Sequence, residues 1–414
     1  MTTDPSADPA ARDGSERLLR WPSELVAKAG RVAVSVEDFL DDRWRELKRR
    51  KGWTGTPQIQ PYYGYRFERN GVPTARVIGR VLSNPPLPQP TVDDDWWTNL
   101  TMMYRRFESD ECPGVAVAIE SDGARLRTVT GREGYFDVEV AGEAGAKADN
   151  GDGWRSVRLS LPEAHETALT GASGSGAEVA ASEIGTVVGS VLQPSPEAEF
   201  GVISDIDDTV LFTGVTDLAT MARLTFLHSA RMRKPLPGVA SLYQALQSGS
   251  RTNGPAINPV FYVSSSPWNL FDLLVEFLEL NDIPLGPILL RDFGFSAESL
   301  SFGDHSHKRT KAEQIMAAYP SLRFVLIGDS GQQDASLYAD IAEQQPDRIA
   351  MILIRDVDPN VATLHDSRVE PSRRKAAEAG VALHVIEDSA QAADHLKRAG
   401  LLAADAEIYL GAGD

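Results

Sequence analysis

The feature that most constrains this chain is a short apolar run that ends in carboxylates, Phe200-Gly-Val-Ile-Ser-Asp205-Ile-Asp207-Asp208-Thr209. An apolar run of this length with polar boundaries is typical of a buried strand in a parallel sheet. Asp205 and Asp207 are two residues apart, so in an extended chain their side chains point to the same side. Two adjacent carboxylates repel each other unless a cation or a shared proton relieves them. The stretch therefore predicts a strand end that binds a divalent cation, and its oxygen ligands suit Mg²⁺.

Two other interpretations of this stretch compete with the metal site. An EF-hand calcium loop that began at Asp205 would need Gly at its sixth position and Glu at its twelfth, but these positions hold Val210 and Thr216. The EF-hand is therefore rejected. The other interpretation is a buried strand followed by a solvated acidic turn, and the stretch alone leaves it open.

Composition limits the classes of protein to which the chain can belong. Its 414 residues are too many for one ordinary core, so we expect two domains plus tails. The hydrophobic content of 42% and the charged content of 24% are typical of soluble globular proteins. The net charge of −18 argues against nucleic-acid binding, which requires a basic face. A single cysteine, Cys112, an acidic start and the lack of a bilayer-length apolar run together predict a cytoplasmic location.

The first 55 residues divide into two segments of different composition. Residues 1–20 are rich in Asp, Ala, Pro and Ser, and we expect a disordered tail there. Residues 21–55 predict a helical segment whose end carries basic residues interleaved with tryptophan. We call these residues the basic cluster: Arg43, Arg45, Lys48, Arg49, Arg50 and Lys51. The basic cluster indicates either peripheral membrane contact or the ordinary preference of cations for a helix C-terminus.

The rest of the chain changes character near residue 195. In residues 56–195, short β-rich pieces between Gly, Pro, Asn and Asp are typical of an antiparallel sandwich or barrel, and we expect a sandwich-like domain. In residues 196–414, strand-like and helix-like segments alternate, which predicts an α/β domain with a doubly wound, Rossmann-like parallel sheet. The expected strands are 75–82, 114–119, 135–140, 156–161, 185–192, 260–263, 288–290, 324–327, 350–354 and 383–386, and the expected helices are 240–247, 270–280, 308–318, 334–344 and 390–399.

Further polar residues lie where the expected strands of the α/β domain end. Ser264 and Ser265 follow one strand, and hydroxyls and backbone N–H groups in such a turn can hold phosphate oxygens. Asp329 and Asp334 follow another strand, and Lys308 opens a helix. Because ligands of open α/β sheets collect at the carboxyl ends of the strands, these groups predict a site for a phosphate and a metal.

The order of these motifs resembles that of the haloacid dehalogenase superfamily. Asp-Ile-Asp-Asp-Thr at 205–209, a serine-ended strand, a helix-opening lysine and Gly-Asp-Ser-Gly-Gln-Gln-Asp at 328–334 correspond to its four motifs. More narrowly, segments 200–213, 264–270, 290–294 and 326–331 resemble the actin-patch-associated phosphatidate phosphatase family and its bacterial relatives. Segments 354–357, 79–82 and 134–136 resemble that family more weakly. The resemblance implies a haloacid dehalogenase-like phosphatase domain over about residues 196–414.

The resemblance also implies a role for each residue. Asp205 would be the nucleophile that forms an aspartyl-phosphate, and Asp207 would protonate the leaving oxygen and then activate water. Mg²⁺ would be held by Asp205, Asp329 and the backbone carbonyl of Asp207, with Asp334 acting through water. Three residues would bind the phosphate: Ser264, Ser265 and Lys308. Two residues would support the site: Thr209 and Gly328.

Several of these assignments have alternatives in the sequence. Lys311 lies one helical turn from Lys308 and competes for the phosphate, as Ser265 competes with Ser264. His305 and His307 form a weak zinc-binding pattern without further Cys or His ligands. Arg233 and Arg291 could contact the substrate phosphate or pair with surface acids. Asp208 is expected to be an exposed or helix-capping acid, and Trp268 a core residue.

The spacing of the motifs bears on the substrate. Residues 214–258 leave room for only a small helical flap at 218–233, not a full cap domain, so an open site and a bulky substrate are expected. The leading hypothesis is a Mg²⁺-dependent phosphatase that hydrolyses phosphatidate or a related phospholipid to diacylglycerol, with the basic cluster at the membrane surface. A phosphatase of soluble phosphomonoesters or phosphoproteins is the first alternative. A scaffold protein without turnover is the second.

Overall fold

The computed structural model of the chain describes residues 57–83, 111–142, 153–162, 185–210, 235–251, 257–291, 306–357 and 364–410. The expected tail, the helical segment with the basic cluster and the expected flap lie outside these ranges. Within them, no helix has the length and apolar character that crossing a bilayer requires.

Seven strands of the first part of the chain form one sheet. Their bounds are β1 (Gln58–Arg69), β2 (Val72–Leu82), β3 (Ala116–Ser121), β4 (Ala124–Val129), β5 (Tyr135–Ala141), β6 (Trp154–Ser160) and β7 (Thr186–Leu192). Their order in the sheet is β4-β3-β6-β7-β1-β2-β5. Neighbours are antiparallel except for a short parallel pairing of β1 with β7. The edge strands β4 and β5 approach each other, so the sheet nearly closes into a barrel.

This single curved sheet corrects the sandwich-like domain expected from the sequence. A sandwich has two sheets that face each other, whereas here one sheet curves around its own apolar interior, which includes Val81, Ile119 and Leu159. A bulge in β1 between Tyr62 and Tyr65 supports the curvature, because bulges bend the strand that carries them. A sandwich and a single curved sheet show the same periodicity of short strands in the sequence. Only the order in which the strands pair distinguishes the two architectures. We call this sheet the barrel.

The second sheet has six strands and is parallel throughout. Its strands are β8 (Gly201–Ser204), β9 (Val260–Pro267), β10 (Ile288–Arg291), β11 (Phe324–Asp329), β12 (Ile349–Arg355) and β13 (Leu383–Ile386). Their order is β10-β9-β8-β11-β12-β13. From β8 the chain adds β9 and β10 toward one edge of the sheet. It then returns to the other side of β8 and adds β11, β12 and β13 toward the opposite edge. The strand order therefore reverses between β8 and β11, and α/β sheets bind ligands at such a point, beyond the carboxyl ends of the strands.

Helices alternate with these strands, as the sequence predicts. The bounds are α1 (Val239–Ser248), α2 (Phe271–Leu280), α3 (Ser306–Ala318), α4 (Asp334–Gln344), α5 (Leu364–Glu378) and α6 (Ser389–Arg398). A 3₁₀ turn, Trp268–Leu270, links β9 to α2. An α/β domain with a parallel sheet is therefore confirmed, while the haloacid dehalogenase-like arrangement stays a prediction.

The barrel and the parallel sheet share one apolar core. Strand β1 carries the contact, since side chains on both of its faces are buried. Tyr62 stacks on Trp268 with ring centroids 4.5 Å apart, and Tyr65 meets Phe261 edge-on at 5.7 Å. The backbone at Gly64 passes so close to β2 that an added Cβ would lie 2.1 Å from the carbonyl oxygen of Arg76. These aromatic contacts bury the outer face of β1 against the α/β half.

Candidate active site

Three buried carboxylates meet where the strand order reverses. Asp205 directly follows β8, Asp329 is the last residue of β11, and Asp334 is the first residue of α4. All three have no exposed surface, and each offers a carboxylate oxygen within 4.8 Å of the others. Because β8 and β11 are adjacent parallel strands, their carboxyl ends bring together residues that are more than a hundred positions apart in the sequence.

Lys308 is the lysine that the structure brings to these carboxylates. It is the third residue of α3 and is 2% exposed. Its Nζ donates hydrogen bonds to Asp334 Oδ1 at 2.9 Å and to Gln332 Oε1 at 3.1 Å, and it forms an ion pair with Asp205 Oδ1 at 2.9 Å. Two of the three N–H donors of this ammonium group are therefore used in hydrogen bonds, and the ion pair adds a direct contact between opposite charges.

The charges of this cluster do not balance. Three carboxylates face one ammonium group, and none of the three has any exposed surface. Burial raises the pKa of Asp205 well above its ordinary value, and the neighbouring carboxylates add to the effect against the opposing influence of Lys308. Burial and Asp334 likewise raise the pKa of Asp329 to about 8. Burial acts to lower the pKa of Lys308, but the surrounding carboxylates outweigh it and raise the pKa above its usual range.

Two carboxylate oxygens of the cluster have neither a hydrogen-bond donor nor an ion-pair partner among the described residues. Asp329 Oδ1 accepts the Gln332 N–H at 2.8 Å, but among the described residues no donor reaches Asp205 Oδ2 or Asp329 Oδ2. A buried anionic oxygen without a partner is costly, and a cation relieves that cost. Carboxylate oxygens are the ligands that Mg²⁺ prefers. The donor set and its unpaired oxygens therefore fit a divalent cation of this kind.

Asp207 has different neighbours from the three buried carboxylates. Its Oδ2 accepts hydrogen bonds from Ser264 Oγ at 2.9 Å and from Ser266 Oγ at 3.2 Å. Ser264 Oγ in turn accepts the Ser266 N–H at 2.9 Å. Asp207 is half-buried, so its carboxyl group is more accessible than those of Asp205, Asp329 and Asp334, which have no exposed surface.

Sequence reasoning missed Ser266 and Gln332. Ser266 was detectable, because residues two apart on a strand share a face, and Ser264 and Ser266 both lie on β9. The same alternation places Ser265 on the other face of β9. Gln332 lies in a loop where no periodicity applies, so its contact with Lys308 could be found only from the structure.

The two residues that we expected to support the site differ in what they contact. An added Cβ at Gly328 would lie 2.6 Å from the Cβ of Asp334, so only glycine allows Asp334 to approach. Asp334 Oδ2 accepts the Asp329 N–H at 3.4 Å across this gap. Thr209 is buried in the turn after Asp207, and its hydroxyl has no hydrogen-bond partner in the part of the chain that the structure describes.

The remaining candidates lie elsewhere or outside the described ranges. Trp268 is a core residue, since it stacks on Tyr62. Asp208 has a φ of 54°, in the left-handed region, and is half-buried. His305 and Arg233 lie outside the described residues, and the three carboxylates are the only group of potential metal ligands found within them.

Comparison with known proteins finds similarity in the α/β half. Residues 200–356, less than half of the chain, match a family model described as the catalytic domain of phosphatidate phosphatase APP1. Phosphatidate phosphatase APP1 of Saccharomyces cerevisiae is 34% identical over 173 residues. The uncharacterized protein C29B5.04c of Schizosaccharomyces pombe is 32% identical over 157 residues. The matched stretch is thus similar to the catalytic domain of a phosphatidate phosphatase.

These matches cover limited parts of the proteins concerned. The yeast alignment includes 41% of this chain and 28% of the yeast protein. The fission-yeast alignment includes 38% of this chain and 25% of that relative. The chain therefore spans about a quarter of the length of the curated relatives that it matches. The carboxylates, the serines and Lys308 all lie within the matched stretch.

Proposed function

We propose that this chain is a Mg²⁺-dependent phosphatase that forms an aspartyl-phosphate and hydrolyses phosphatidate or a related phospholipid to diacylglycerol and phosphate. The observation that carries the proposal is the cluster of three buried carboxylates with Lys308, inside a stretch that matches a phosphatidate phosphatase catalytic domain. We also propose that the α/β half has the haloacid dehalogenase arrangement. The order of its four motifs and the position of Asp205 beyond β8 support this.

In the first half-reaction, a carboxylate oxygen of Asp205 attacks the phosphorus of the substrate. A new bond forms between this oxygen and phosphorus, while the bond between phosphorus and the ester oxygen breaks. The departing oxygen takes the proton of the Asp207 carboxyl group and leaves as an alcohol. Ser264 and Ser266 hold Asp207 by hydrogen bonds of 2.9 and 3.2 Å, which fixes the position of that proton donor.

In the second half-reaction, water attacks the phosphorus of the aspartyl-phosphate. Asp207, now ionised, takes a proton from this water. The bond between phosphorus and Asp205 breaks, and phosphate leaves with the carboxylate restored. Phosphoryl transfer requires little covalent work beyond this and much neutralisation of charge. Lys308 supplies a fixed positive charge beside Asp205 for that purpose.

The bound cation would be held by Asp205 and Asp329, with Asp334 and the Asp207 backbone carbonyl as further ligands. When bound, Mg²⁺ supplies positive charge that neutralises the phosphoryl oxygens. The unpaired Oδ2 atoms of Asp205 and Asp329 support this assignment.

The lipid substrate rests on the similarity to the yeast enzyme and on the basic cluster. A net charge of −18 opposes approach to an anionic surface, so a local group of cations would be needed, and the basic cluster offers one. We therefore propose a cytoplasmic protein that contacts the membrane peripherally. The same net charge suits a phosphatase of soluble phosphomonoesters, which stays the alternative.

Phosphate release from short-chain phosphatidate and from a panel of soluble phosphomonoesters, with Mg²⁺ or with EDTA, tests the proposal. We expect release from phosphatidate that EDTA abolishes and that Asp205→Asn lowers by at least about 1000-fold, as loss of a catalytic nucleophile does in other enzymes. Asp394→Asn makes the same chemical change at an exposed carboxylate of α6 and should leave the rate unchanged.

Other outcomes of this assay distinguish the alternatives. Release from soluble esters alone would preserve the mechanism and reject the lipid substrate. No release from any ester by folded protein would reject the phosphatase and favour a scaffold.

Flotation with anionic liposomes tests membrane contact. It compares the chain with a variant in which the basic cluster is changed to glutamine. Equal flotation would reject that role of the basic cluster.

A further inference from the structure

Two arginines on the outer face of the barrel reach into the α/β half. Arg76 and Arg80 are four residues apart on β2, so alternation places them on the same face as Ile78 between them. Ile78 belongs to the core that the barrel shares with the parallel sheet. Both arginines make hydrogen bonds with side chains of the α/β half.

Arg80 is held rigidly by the barrel itself. Its Nε donates to the Glu133 carbonyl at 2.9 Å and its Nη2 to Glu111 Oε1 at 2.7 Å. The guanidinium group also lies over the ring of Tyr135, 4.4 Å from its centroid. Only 3% of Arg80 is exposed. The barrel therefore presents the remaining nitrogen, Nη1, in one fixed direction.

That nitrogen donates to the segment that follows the serine strand. Arg80 Nη1 lies 2.8 Å from Asn269 Oδ1, in the 3₁₀ turn that directly follows β9. Asn269 is three residues after Ser266, and its neighbour Trp268 stacks on Tyr62 of the barrel. Two consecutive side chains of this turn are therefore fixed by the barrel.

Arg76 makes the corresponding contact with the helix that begins near Lys308. Its Nη1 donates to Gln314 Oε1 of α3 at 3.1 Å and to the hydroxyl of Tyr65 at 3.0 Å. Two further nitrogens bind Asp137 at 2.7 and 2.6 Å, so the barrel holds this guanidinium as firmly as the other. Gln314 is six residues after Lys308 on the same helix. Strand β2 of the barrel thus donates hydrogen bonds to α3 and to the turn that follows β9. The predicted phosphate-binding residues lie on α3 and β9.

We propose that the barrel is a positioning device for the active site, in which Arg80, through Asn269, fixes the serines of β9 relative to Lys308. Arg80 does not touch the carboxylates or the serines, so it is a positioning residue and not a catalytic one. The inference rests on the proposed phosphatase for its catalytic consequence. A displacement of about 1 Å of a catalytic group can cost about 100-fold in rate. A side chain that sets the distance between the serines of β9 and Lys308 can therefore change kcat without contacting the substrate.

The experiment compares Arg80→Ala, Arg80→Lys, Asn269→Ala and the double variant Arg80→Ala/Asn269→Ala in the full chain. We expect kcat to fall about 10- to 100-fold for Arg80→Ala, at a temperature at which circular dichroism shows every variant folded. Lysine should not restore the rate, since a point charge cannot reproduce the directed contacts of a guanidinium group. The double variant should be no slower than the slower single variant, because both changes break the same contact. Arg69→Ala, which removes an exposed ion pair with Glu139 on the same barrel, is the matched control and should keep the parent rate.

A second measurement separates failure of this inference from failure of the proposed function. Hydrogen exchange, followed by mass spectrometry, should be faster over residues 264–270 in Arg80→Ala than in the parent chain, with no change over β11. This readout needs no substrate, so it remains valid if the parent chain hydrolyses no ester. Parent-like exchange over residues 264–270 would overturn the inference, as would a folded Arg80→Ala variant with the parent kcat.

Discussion

Each half of the molecule contains a buried cluster of charges, and the two clusters differ in how completely they are paired. In the barrel, Asp122 accepts from Arg155 Nη1 at 2.7 Å and lies 3.1 Å from Arg66 Nη1, so each carboxylate oxygen has a cationic partner. Both arginines also donate to Gln193 Oε1. In the α/β half, three carboxylates share one lysine, and two oxygens have neither a hydrogen-bond donor nor an ion-pair partner among the described residues.

The difference indicates what each cluster is for. A buried ionic group whose hydrogen bonds are complete holds the fold in one arrangement and needs nothing from outside. A buried group with excess negative charge and unpaired oxygens is complete only when a cation binds. We therefore interpret the barrel cluster as structural, whereas the carboxylate cluster is the cation-binding site that we propose. This contrast predicts that the same kind of substitution has opposite consequences in the two places.

The largest effect on stability is expected from Asp122→Ala. This change would leave Arg66 and Arg155, each 6% exposed, buried without their carboxylate. Removing one partner of a buried ionic group costs about 3–5 kcal/mol. Urea unfolding followed by circular dichroism should show a lower midpoint with the slope unchanged. Asp394→Ala, at a side chain that is 63% exposed, is the control, and an equal loss in both variants would remove the distinction between buried and surface charge.

The next effect is stabilisation by Mg²⁺, which should act on the carboxylate cluster alone. A ligand that binds only the folded state at 100 times its dissociation constant stabilises by about 2.7 kcal/mol. We expect Mg²⁺ to raise the melting temperature of the parent chain and of Asp122→Asn, but not that of Asp329→Asn. A Mg²⁺ response that survives in Asp329→Asn would place the cation elsewhere.

Gly328→Ala tests whether the geometry of the carboxylate cluster depends on close packing. The new methyl group would lie 2.6 Å from the Cβ of Asp334, so the start of α4 must shift. Overpacking of this kind costs about 1–3 kcal/mol. We expect a lower urea midpoint together with a weaker response to Mg²⁺, measured by melting. Gly380→Ala lies where nothing is within 4 Å of an added Cβ and controls for the chemical change, although its positive φ adds strain of its own.

A smaller effect of opposite sign is expected from Asp205→Asn in metal-free protein. The neutral amide removes one of three mutually repelling carboxylates, while Lys308 keeps Asp334 as a partner. Like charges at close range disfavour each other's ionised form, and relief equivalent to one pKa unit is worth about 1.4 kcal/mol. Urea unfolding in EDTA should therefore show a higher midpoint than that of the parent. A lower midpoint would mean that the pair of Asp205 with Lys308 outweighs the repulsion.

The carboxylate cluster could be predicted from the sequence, and the barrel cluster could not. Asp205 and Asp329 each follow an apolar run that allows only a buried strand, and parallel pairing then brings the strand ends together. Asp122 lies in a two-residue turn between β3 and β4. Its partners Arg66 and Arg155 come from strands whose pairing order no periodicity reveals.

Three elements were missed, namely β1, β4 and α5, and in β1 and α5 the local propensity opposes the observed structure. Strand β1 contains Pro61 and Gly64, which normally argue against a strand, yet its aromatic side chains pack into the core that the barrel shares with the α/β half. Helix α5 is largely polar and has Pro371 in its interior, so neither apolar periodicity nor an uninterrupted run marks it. In both cases packing against the rest of the molecule outweighs the preferences of the local sequence. The site was therefore predictable to the extent that its residues follow ordinary strands, while Gln332 and the arginines of β2 became visible only through tertiary contacts.

The smallest effect concerns a pair of titratable histidines that lies outside both buried clusters. His384 of β13 and His395 of α6 stack with centroids 3.8 Å apart, and burial lowers the pKa of both, with Arg398 nearby adding to the effect. A lowered pKa means that the unfolded chain takes up protons first, so stability should fall as the pH drops below the usual histidine value of about 6.5. Unfolding in urea at pH 7.5 and at pH 5.5 should show this loss in the parent and a smaller loss in His384→Asn, with His228→Asn as a control outside the pair. Because both imidazoles are partly solvated, water screens their charges, and the loss should stay well below that of Asp122→Ala. If lowering the pH cost as much stability as Asp122→Ala does, burial would not explain why charges in the two clusters matter more than charges near the surface.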